Sequence, residues 1–328
     1  MIELLFIIGM ILVSLFVLIK GADYLINGAA DLARFWRISP ILVGLTIVAF
    51  GTSLPEFIVS VFSVMNGSAD LSLGNIIGSN IANITLVLGI CALLARRLKI
   101  KSKTFIYEIP FLVVSSFLLL ILGSDFFIFG KEGVFLLSRF DGVIFMIIFA
   151  LFIYYVFRST QQKEKMVTKE FREEFAHKNS PWKNGLLIVG GIIALFAGGR
   201  LFVTYAGQLA GLAGLSKGFI GLTIAALGTS LPELAALGMA AWKGKGNIAI
   251  GNIVGSNIFN VLFVLGATSL IKPIDINKSI LGVDGIIMIL VTLIFLVFAT
   301  RRRGIDRKEG IALIGMYVLY MTFLIWRL

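Results

Sequence analysis

Residues 44–89 and 221–266 align without a gap at an offset of 177, and 23 of the 46 positions are identical. Gly51-Thr52-Ser53-Leu54-Pro55-Glu56 recurs as Gly228-Thr229-Ser230-Leu231-Pro232-Glu233. Gly74-Asn75-Ile76 recurs as Gly251-Asn252-Ile253, and Gly78-Ser79-Asn80-Ile81 as Gly255-Ser256-Asn257-Ile258, with Asn83 matched by Asn260. A fold for this chain must place the same structural unit twice.

The surrounding composition fixes the solvent of that unit. Hydrophobic residues make up 58% of the 328 positions and charged residues 14%, against roughly a quarter charged in an average soluble domain. Apolar runs of about 20 residues, enough to cross the hydrocarbon core, read as ten spans: 2–24, 38–64, 71–94, 105–122, 140–157, 184–207, 215–241, 248–270, 280–299 and 308–326. Five spans separate any point of the first copy from its equivalent in the second. Five is odd, so the copies should enter the membrane from opposite sides. The expected fold is an all-α integral membrane protein of ten transmembrane helices, two inverted five-helix repeats with helices 2 and 7 broken. Residues 1–158 form the first repeat, 159–183 a cytoplasmic linker and 184–328 the second repeat.

The net charge of +11 in a soluble protein would suggest nucleic acid. Here Lys and Arg lie between apolar segments. With the N-terminus outside, 21 fall in inner loops and 6 on the outer side, so both termini should face out of the cell membrane. Lys20 and Arg200 lie within spans near their ends and should snorkel. The N-terminus lacks the basic region of a secretory signal. The single cysteine, Cys91, permits no intrachain disulfide and no thiolate cluster. The linker holds the only histidine, His177, and is too short for a folded domain. No nucleic acid and no protein partner is implied, and a monomer suffices.

Ala49, Thr52, Ser53 and Glu56 fall at i, i+3, i+4 and i+7, one polar stripe on an otherwise apolar helix. Pro55 lacks an N–H and clashes with the carbonyl of Gly51, so the helix should break and free backbone carbonyls around Ala49–Thr52. Such groups are tolerated at membrane depth only where they face protein or a hydrated cavity. Ala226, Thr229, Ser230 and Glu233, beside Pro232, repeat the arrangement. Asn75, Ser79 and Asn83 form a matching ridge on the next span, as do Asn252, Ser256 and Asn260. Neighbouring glycines (Gly74, Gly78, Gly251, Gly255) allow close helix approach.

Every donor in this set is an oxygen, which suits a hard cation over zinc or copper. Calcium takes six to eight oxygens; two carboxylates and freed carbonyls approach that range, and sodium accepts the same ligands. Glu56 and Glu233 supply two negative charges, balanced by one calcium or two sodium ions. Leaving both ionised and empty would cost about 2.5–3.5 kcal/mol per charge on insertion scales, which would oppose crossing by the empty site and enforce exchange. Bonding to a preceding carbonyl is the rival role for Thr52, Ser53, Thr229 and Ser230. Interhelical hydrogen bonding is the rival for Ser79, Asn83, Ser256 and Asn260. Packing or a helix-end role suits Asn75, Asn80, Asn252 and Asn257 better than ligation. Asp23, Asp125, Asp141 and Asp284 sit near span ends, where solvated anions are ordinary.

The doubled Gly-Thr-Ser-Leu-Pro-Glu and Gly-Ser-Asn-Ile-x-Asn resemble the paired α-repeats of the cation/calcium antiporter superfamily, in its prokaryotic-type sodium/calcium exchanger branch. The resemblance implies an antiporter, not an enzyme, with no catalytic residues and no cofactor. Sodium and calcium would be its transported ions. It implies four clustered sites: Glu56 and Glu233 as central calcium ligands, helped by the carbonyls of Thr52 and Thr229. Ala49, Ser79, Ala226 and Ser256 would help form flanking sodium sites, with Asn83 and Asn260 lining the middle. Family members usually exchange three sodium ions for one calcium, and the first and sixth spans resemble gating helices that slide over the core. Asn at 83 and 260, where potassium-dependent members carry Asp, argues against potassium dependence. The motif differs from the Gly-Asn-x-x-Glu of the proton/calcium branch. A proton/calcium exchanger is the alternative within transport. A cation channel gives no reason for inverted repeats, and an intramembrane aspartyl protease would need the missing Gly-x-Gly-Asp.

Overall fold

The structure is a computed structural model that describes residues 2–36, 38–95, 97–99, 105–124, 135–161, 180–212 and 226–327. Asp125, His177, most of the 159–183 segment and the start of the expected seventh span lie outside the described residues.

The described chain is almost entirely helical. α1 (Ile2–Phe35) is followed by α2 (Ile41–Thr52) and α3 (Leu54–Met65), which meet at a bend of 43°. Then come α4 (Ala69–Leu94), α5 (Phe105–Leu122), α6 (Arg139–Gln161) and α7 (Pro181–Leu212). α8 (Ala226–Thr229) and α9 (Leu231–Trp242) repeat the break, followed by α10 (Gly246–Ile271), α11 (Ile280–Arg301) and α12 (Arg307–Arg327). Seven described helices are long and apolar enough to cross a membrane, and the α2–α3 pair adds an eighth candidate. α1 and α7 run beyond the expected spans 2–24 and 184–207. Hydropathy marks where the apolar run stops, whereas the helix of α1 continues through polar positions such as Asp31 and Arg34, which form an i,i+3 ion pair at 2.8 Å.

Burial sorts the helices into two layers. α4 and α10 are nearly all buried, while α1, α6, α7 and α12 expose large apolar side chains such as Phe6, Phe16, Leu186 and Ile193 outward. Lys20 and Arg200 are exposed, as snorkelling cations should be. The core is α2–α3, α4, α9 and α10. In membranes helices associate by close packing of small residues, and the glycines do this work twice. A Cβ on Gly251 would lie 2.3 Å from the carbonyl oxygen of Ile41, and one on Gly255 2.4 Å from that of Leu45. α1 and α7 lie along each other on a similar seam: Cβ atoms on Gly21, Gly191 and Gly198 would come within 2.6–3.0 Å of backbone nitrogens of the facing helix.

Two short ribbons mark opposite ends of the bundle. β1 (Arg97–Lys99) pairs with β4 (Gly304–Asp306), and Leu98 reaches the start of α10 at Gly246. β2 (Leu136–Leu137) pairs with β3 (Ile274–Asp275) at the other end, where Asn277 donates to Asp70 at the start of α4. α3 therefore ends at the β2–β3 end, and α9 at the β1–β4 end. Both close with the same turn. Gly67 and Gly244 adopt φ of 79° and 70°. Ser68 N donates to Ser63 O, and Lys245 N to Ala240 O, each at 2.8 Å. The left-handed residue lets the chain double back without an orphan carbonyl.

The β1–β4 end is basic and latched. Lys243 pairs with Asp23 of α1, and its Nζ lies 3.0 Å from Asn27 Oδ1. Lys245 Nζ donates to Asn27 Oδ1 at 3.0 Å and to Ile26 O at 3.4 Å. Burial, then the charges of Lys243 and Arg34, push the Lys245 ammonium down to about 8. Asp23 is ion-paired and still partly exposed at its span end. Asp284 and Asp141 are buried instead: the Asp284 carboxylate takes Arg327 at 2.8 Å and Tyr320 at 3.4 Å, and Asp141 caps its helix through Ser138.

Candidate ion-binding site

The break between α2 and α3 falls at Ser53 (φ −90°, ψ 7°), and its twin at Ser230 (φ −87°, ψ 0°). Pro55 and Pro232 occupy the first turn after each break, where a missing N–H is harmless to the new helix. The carbonyls behind the break pay for it. Gly51 O can receive nothing from Pro55 N, and no described backbone N–H donates to Thr52 O. The expected freed group at Ala49 is different: its carbonyl accepts Ser53 N at 3.0 Å. Helical spacing still brings Glu56 and Glu233 one turn past the breaks, inward, and both are essentially unexposed.

The two copies then clasp each other. Ser53 Oγ donates to Glu233 Oε1 at 3.2 Å, and Ser79 Oγ to Glu56 Oε1 at 3.3 Å. Asn252 Nδ2 donates to Thr52 Oγ1 at 3.2 Å, and Thr229 Oγ1 to Asn75 Oδ1 at 3.4 Å, equivalent bonds made in opposite directions. Asn260 Nδ2 reaches Asn80 Oδ1 at 3.0 Å, and Asn80 Nδ2 reaches Asn257 O at 3.3 Å. Asn75, Asn80, Asn252 and Asn257, expected to serve packing, brace one copy against the other. α4 and α10 each widen to a looser turn at Asn83–Val87 and Phe259–Leu265. Such bulges are frequent at functional sites, and these hold Asn83 and Asn260.

What remains unbonded is a set of oxygens together with the amide nitrogens of Asn83 and Asn257. Glu56 Oε2, Glu233 Oε2, Asn83 Oδ1, Asn260 Oδ1 and Ser230 Oγ are buried and have no partner. Buried polar atoms are normally satisfied, and unpartnered oxygens on α3, α4, α9 and α10 suit a cation that accepts oxygen ligands. No trio of His, Cys, Asp or Glu converges among the described residues, so the donor set is two carboxylates with neutral oxygens.

The expected site residues fare as follows. Ala49, Thr52, Ser53, Glu56, Ser79, Asn83, Ser230, Glu233, Ser256 and Asn260 are all buried in the core, and Thr229 is half-buried beside them. Ser256 spends its hydroxyl on Asn252 Oδ1 at 3.2 Å, within its own helix. Ala226 opens α8, and its side chain lies outside the described residues. The sequence reading passed over Glu108, fully buried in the first turn of α5, although an ionisable residue inside an apolar span is a signal in itself.

A family model described as sodium/calcium exchanger protein matches residues 6–158 and 183–326. The inner membrane protein YrbG of Escherichia coli is 35% identical over 325 residues, covering 97% of this chain and 96% of that protein. The sodium/calcium exchanger MaX1 of Methanosarcina acetivorans is 31% identical, covering 96% and 97%. Among solved structures, the sodium-calcium exchanger NCX_Mj superposes with a TM-score of 0.82 at 28% identity, over 99% of this chain and 100% of that one. With both motif copies inside the matched regions and the fold shared end to end, the chain belongs to the sodium/calcium exchanger family of multi-pass membrane antiporters.

Proposed function

We propose that this protein exchanges sodium for calcium across the cell membrane by alternating access, at a site shared between Glu56 and Glu233. The observation behind this reading is the group of orphaned oxygens: two carboxylate oxygens, one from each motif copy, with amide and hydroxyl oxygens and, among the described residues, no buried Lys or Arg to neutralise them. One calcium balances the carboxylate pair. The carbonyls at Thr52 and Thr229 and the side chains of Asn83 and Asn260 complete its coordination. Sodium occupies the flanking positions built from Ala49, Ser53, Ser79, Ala226, Ser230 and Ser256.

The layout gives the mechanism. Ten spans in two inverted repeats, termini outside, put the basic end in the cytoplasm, and Asn66–Ser68 outside. A site between two like halves of opposite orientation opens to either side by equivalent rearrangements. α1 and α7, held to each other along their glycine seam, slide together over the core, uncovering one end and closing the other. Both carboxylates resist crossing unpaired, so the cycle is an exchange. Three sodium ions per calcium would make it electrogenic, and Asn83 and Asn260 put no carboxylate where potassium-dependent members carry Asp.

The test is sodium-gradient-driven calcium-45 uptake into proteoliposomes. Wild type should accumulate calcium, and Glu56→Gln and Glu233→Gln should fall to background. Undiminished uptake in both variants sinks the site. Uptake driven by a pH gradient without sodium establishes the proton/calcium alternative.

A further inference from the structure

We propose that Ser60, Ser72 and Thr268 line a second, uncharged oxygen pocket, about one helical turn beyond Glu56, that binds a monovalent cation; the inference rests on the exchange function proposed above. The observation is a departure from how this molecule treats its other buried hydroxyls. In apolar helices Ser and Thr usually donate to a carbonyl of the preceding turn. Thr46, Thr85, Ser115, Ser116 and Thr292 do so here, at 2.5–3.0 Å. Ser60, Ser72 and Thr268 are 0–1% exposed, and their hydroxyls have no partner.

Their placement is common. Ser60 follows Glu56 by one turn on the buried face of α3, and Ser72 precedes Ser79 by two turns on the same face of α4. The α3–α4 hairpin is registered by Asn75 Nδ2 on Glu56 O at 3.5 Å and by Ser68 N on Ser63 O at 2.8 Å. Between those levels Ser60 comes opposite Ser72. Thr268 arrives from α10, which runs beside α3 toward the same end, with Phe57 and Phe263 rings 5.4 Å apart. Gly266 and Ser269 press against Gly142 of α6. Thr268 lies about 200° round the helix from Gly266, which turns it away from α6 to the side that packs on α3.

The other copy lacks all three. At the 177 offset Ser60, Ser72 and Thr268 correspond to Leu237, Ala249 and Cys91, each fully buried. The hydroxyls are therefore not a by-product of the shared architecture. They belong to one end of the molecule, the one proposed to face outside.

The chemistry limits the occupant. Three neutral oxygens and no acid favour a singly charged, oxygen-liganded cation over a divalent one, whose dehydration cost they cannot offset. Sodium is the available candidate, held between the carboxylates and the proposed outer surface. A lone water could also bond all three hydroxyls, and the test separates the two.

The experiment is equilibrium binding of sodium-22 and calcium-45 to the purified full chain in detergent. It compares wild type with the triple variant Ser60→Ala, Ser72→Ala, Thr268→Val, and with Thr268→Ser. The triple variant should bind one sodium fewer at saturation, with its calcium Kd moved by less than about threefold, and Thr268→Ser should keep the full count. An unchanged sodium count means the hydroxyls hold water only and overturns the proposal. Joint loss of sodium and calcium with a lowered melting temperature, rescued by neither hydroxyl, makes them packing groups and overturns it too. If wild-type calcium is not displaced by sodium, the exchange reading itself fails; if it is displaced while the sodium count holds, only the pocket does.

Discussion

Ser53 stands in one motif copy and donates to the carboxylate of the other, Glu233. A hydrogen bond to a charged group contributes about 1.5–3 kcal/mol, so Ser53→Ala should weaken calcium binding roughly 10- to 100-fold, measurable by calcium-45 equilibrium binding. Ser79→Ala should do the same through Glu56. If both variants bind like wild type, these bonds are incidental to the ion. At this scale the sequence was informative because a carboxylate in hydrocarbon has so few innocent explanations. It put Thr52, Ser53 and Glu56 together, and the structure buries all three. It could not say that Ser53 serves Glu233 and not its own Glu56, since that depends on the crossing of two helices 180 positions apart. Nor could it tell that Ala49 keeps its carbonyl bonded while Thr52 does not. Asp141 and Asp284 differ from expectation for a related reason: proximity to a span end predicts water, but each is buried against a partner in the fold.

Among the elements, helix breaks were the most legible feature, because proline's missing N–H acts locally. Restoring it by Pro55→Ala should straighten α2 into α3, carry Glu56 off its bearing and cut sodium-driven calcium uptake at least about tenfold while leaving expression intact, since proline inside a helix costs about 3 kcal/mol. Wild-type uptake by Pro55→Ala would show that the bend is not needed. The glycines divide more sharply. Gly251→Ala would drive a methyl to 2.3 Å from the Ile41 carbonyl oxygen, whereas a Cβ on Gly9 meets nothing within 4 Å. Overpacking costs about 1–3 kcal/mol, so the first variant should melt visibly lower in detergent and the second should melt as wild type. Equal melting temperatures would contradict the packing described. Widened turns at Asn83 and Asn260 were invisible beforehand, because an extra residue in a turn leaves the hydrophobic pattern nearly intact.

For the whole molecule, the repeat promised two equivalent ends, and the structure makes them unequal. Asp23, Asn27, Lys243 and Lys245 latch α1 to the α9–α10 turn. Their counterparts at the 177 offset are Arg200, Thr204, Asn66 and Ser68, which cannot form an ion pair. Lys243→Gln should loosen the basic end, seen as faster labelling of a cysteine placed at Ile26 from that side, with labelling from the other side unchanged; unaltered labelling would dismiss the latch. Lys245 adds a pH dependence. Its folded value is about 8 against an ordinary 10.5, so between those values the open chain end holds the proton that the latched form has shed. The latched form gains stability as pH rises from about 8 to about 10.5, since a neutral amine still donates to Asn27 and Ile26 without repelling Lys243. Relative to a free thiol at the same pH, labelling should be slower at pH 9.5 than at pH 7.5, and Lys245→Gln should abolish the difference.

The seam between α1 and α7 has one more consequence, for how such a chain can vary. Where bulky side chains interlock, a substitution on one face can be answered by repacking on the other. Backbone lying directly on backbone, as at Gly21, Gly191 and Gly198, offers no side chain with which to answer. A single added methyl there would push the two backbones apart while leaving every candidate ion ligand in place. The two helices are therefore free to drift in sequence toward the lipid, where Phe6, Phe16, Leu186 and Ile193 are interchangeable grease, and are bound to each other along one bare line. Heritable variation that impairs this protein without touching its ions should gather on that line.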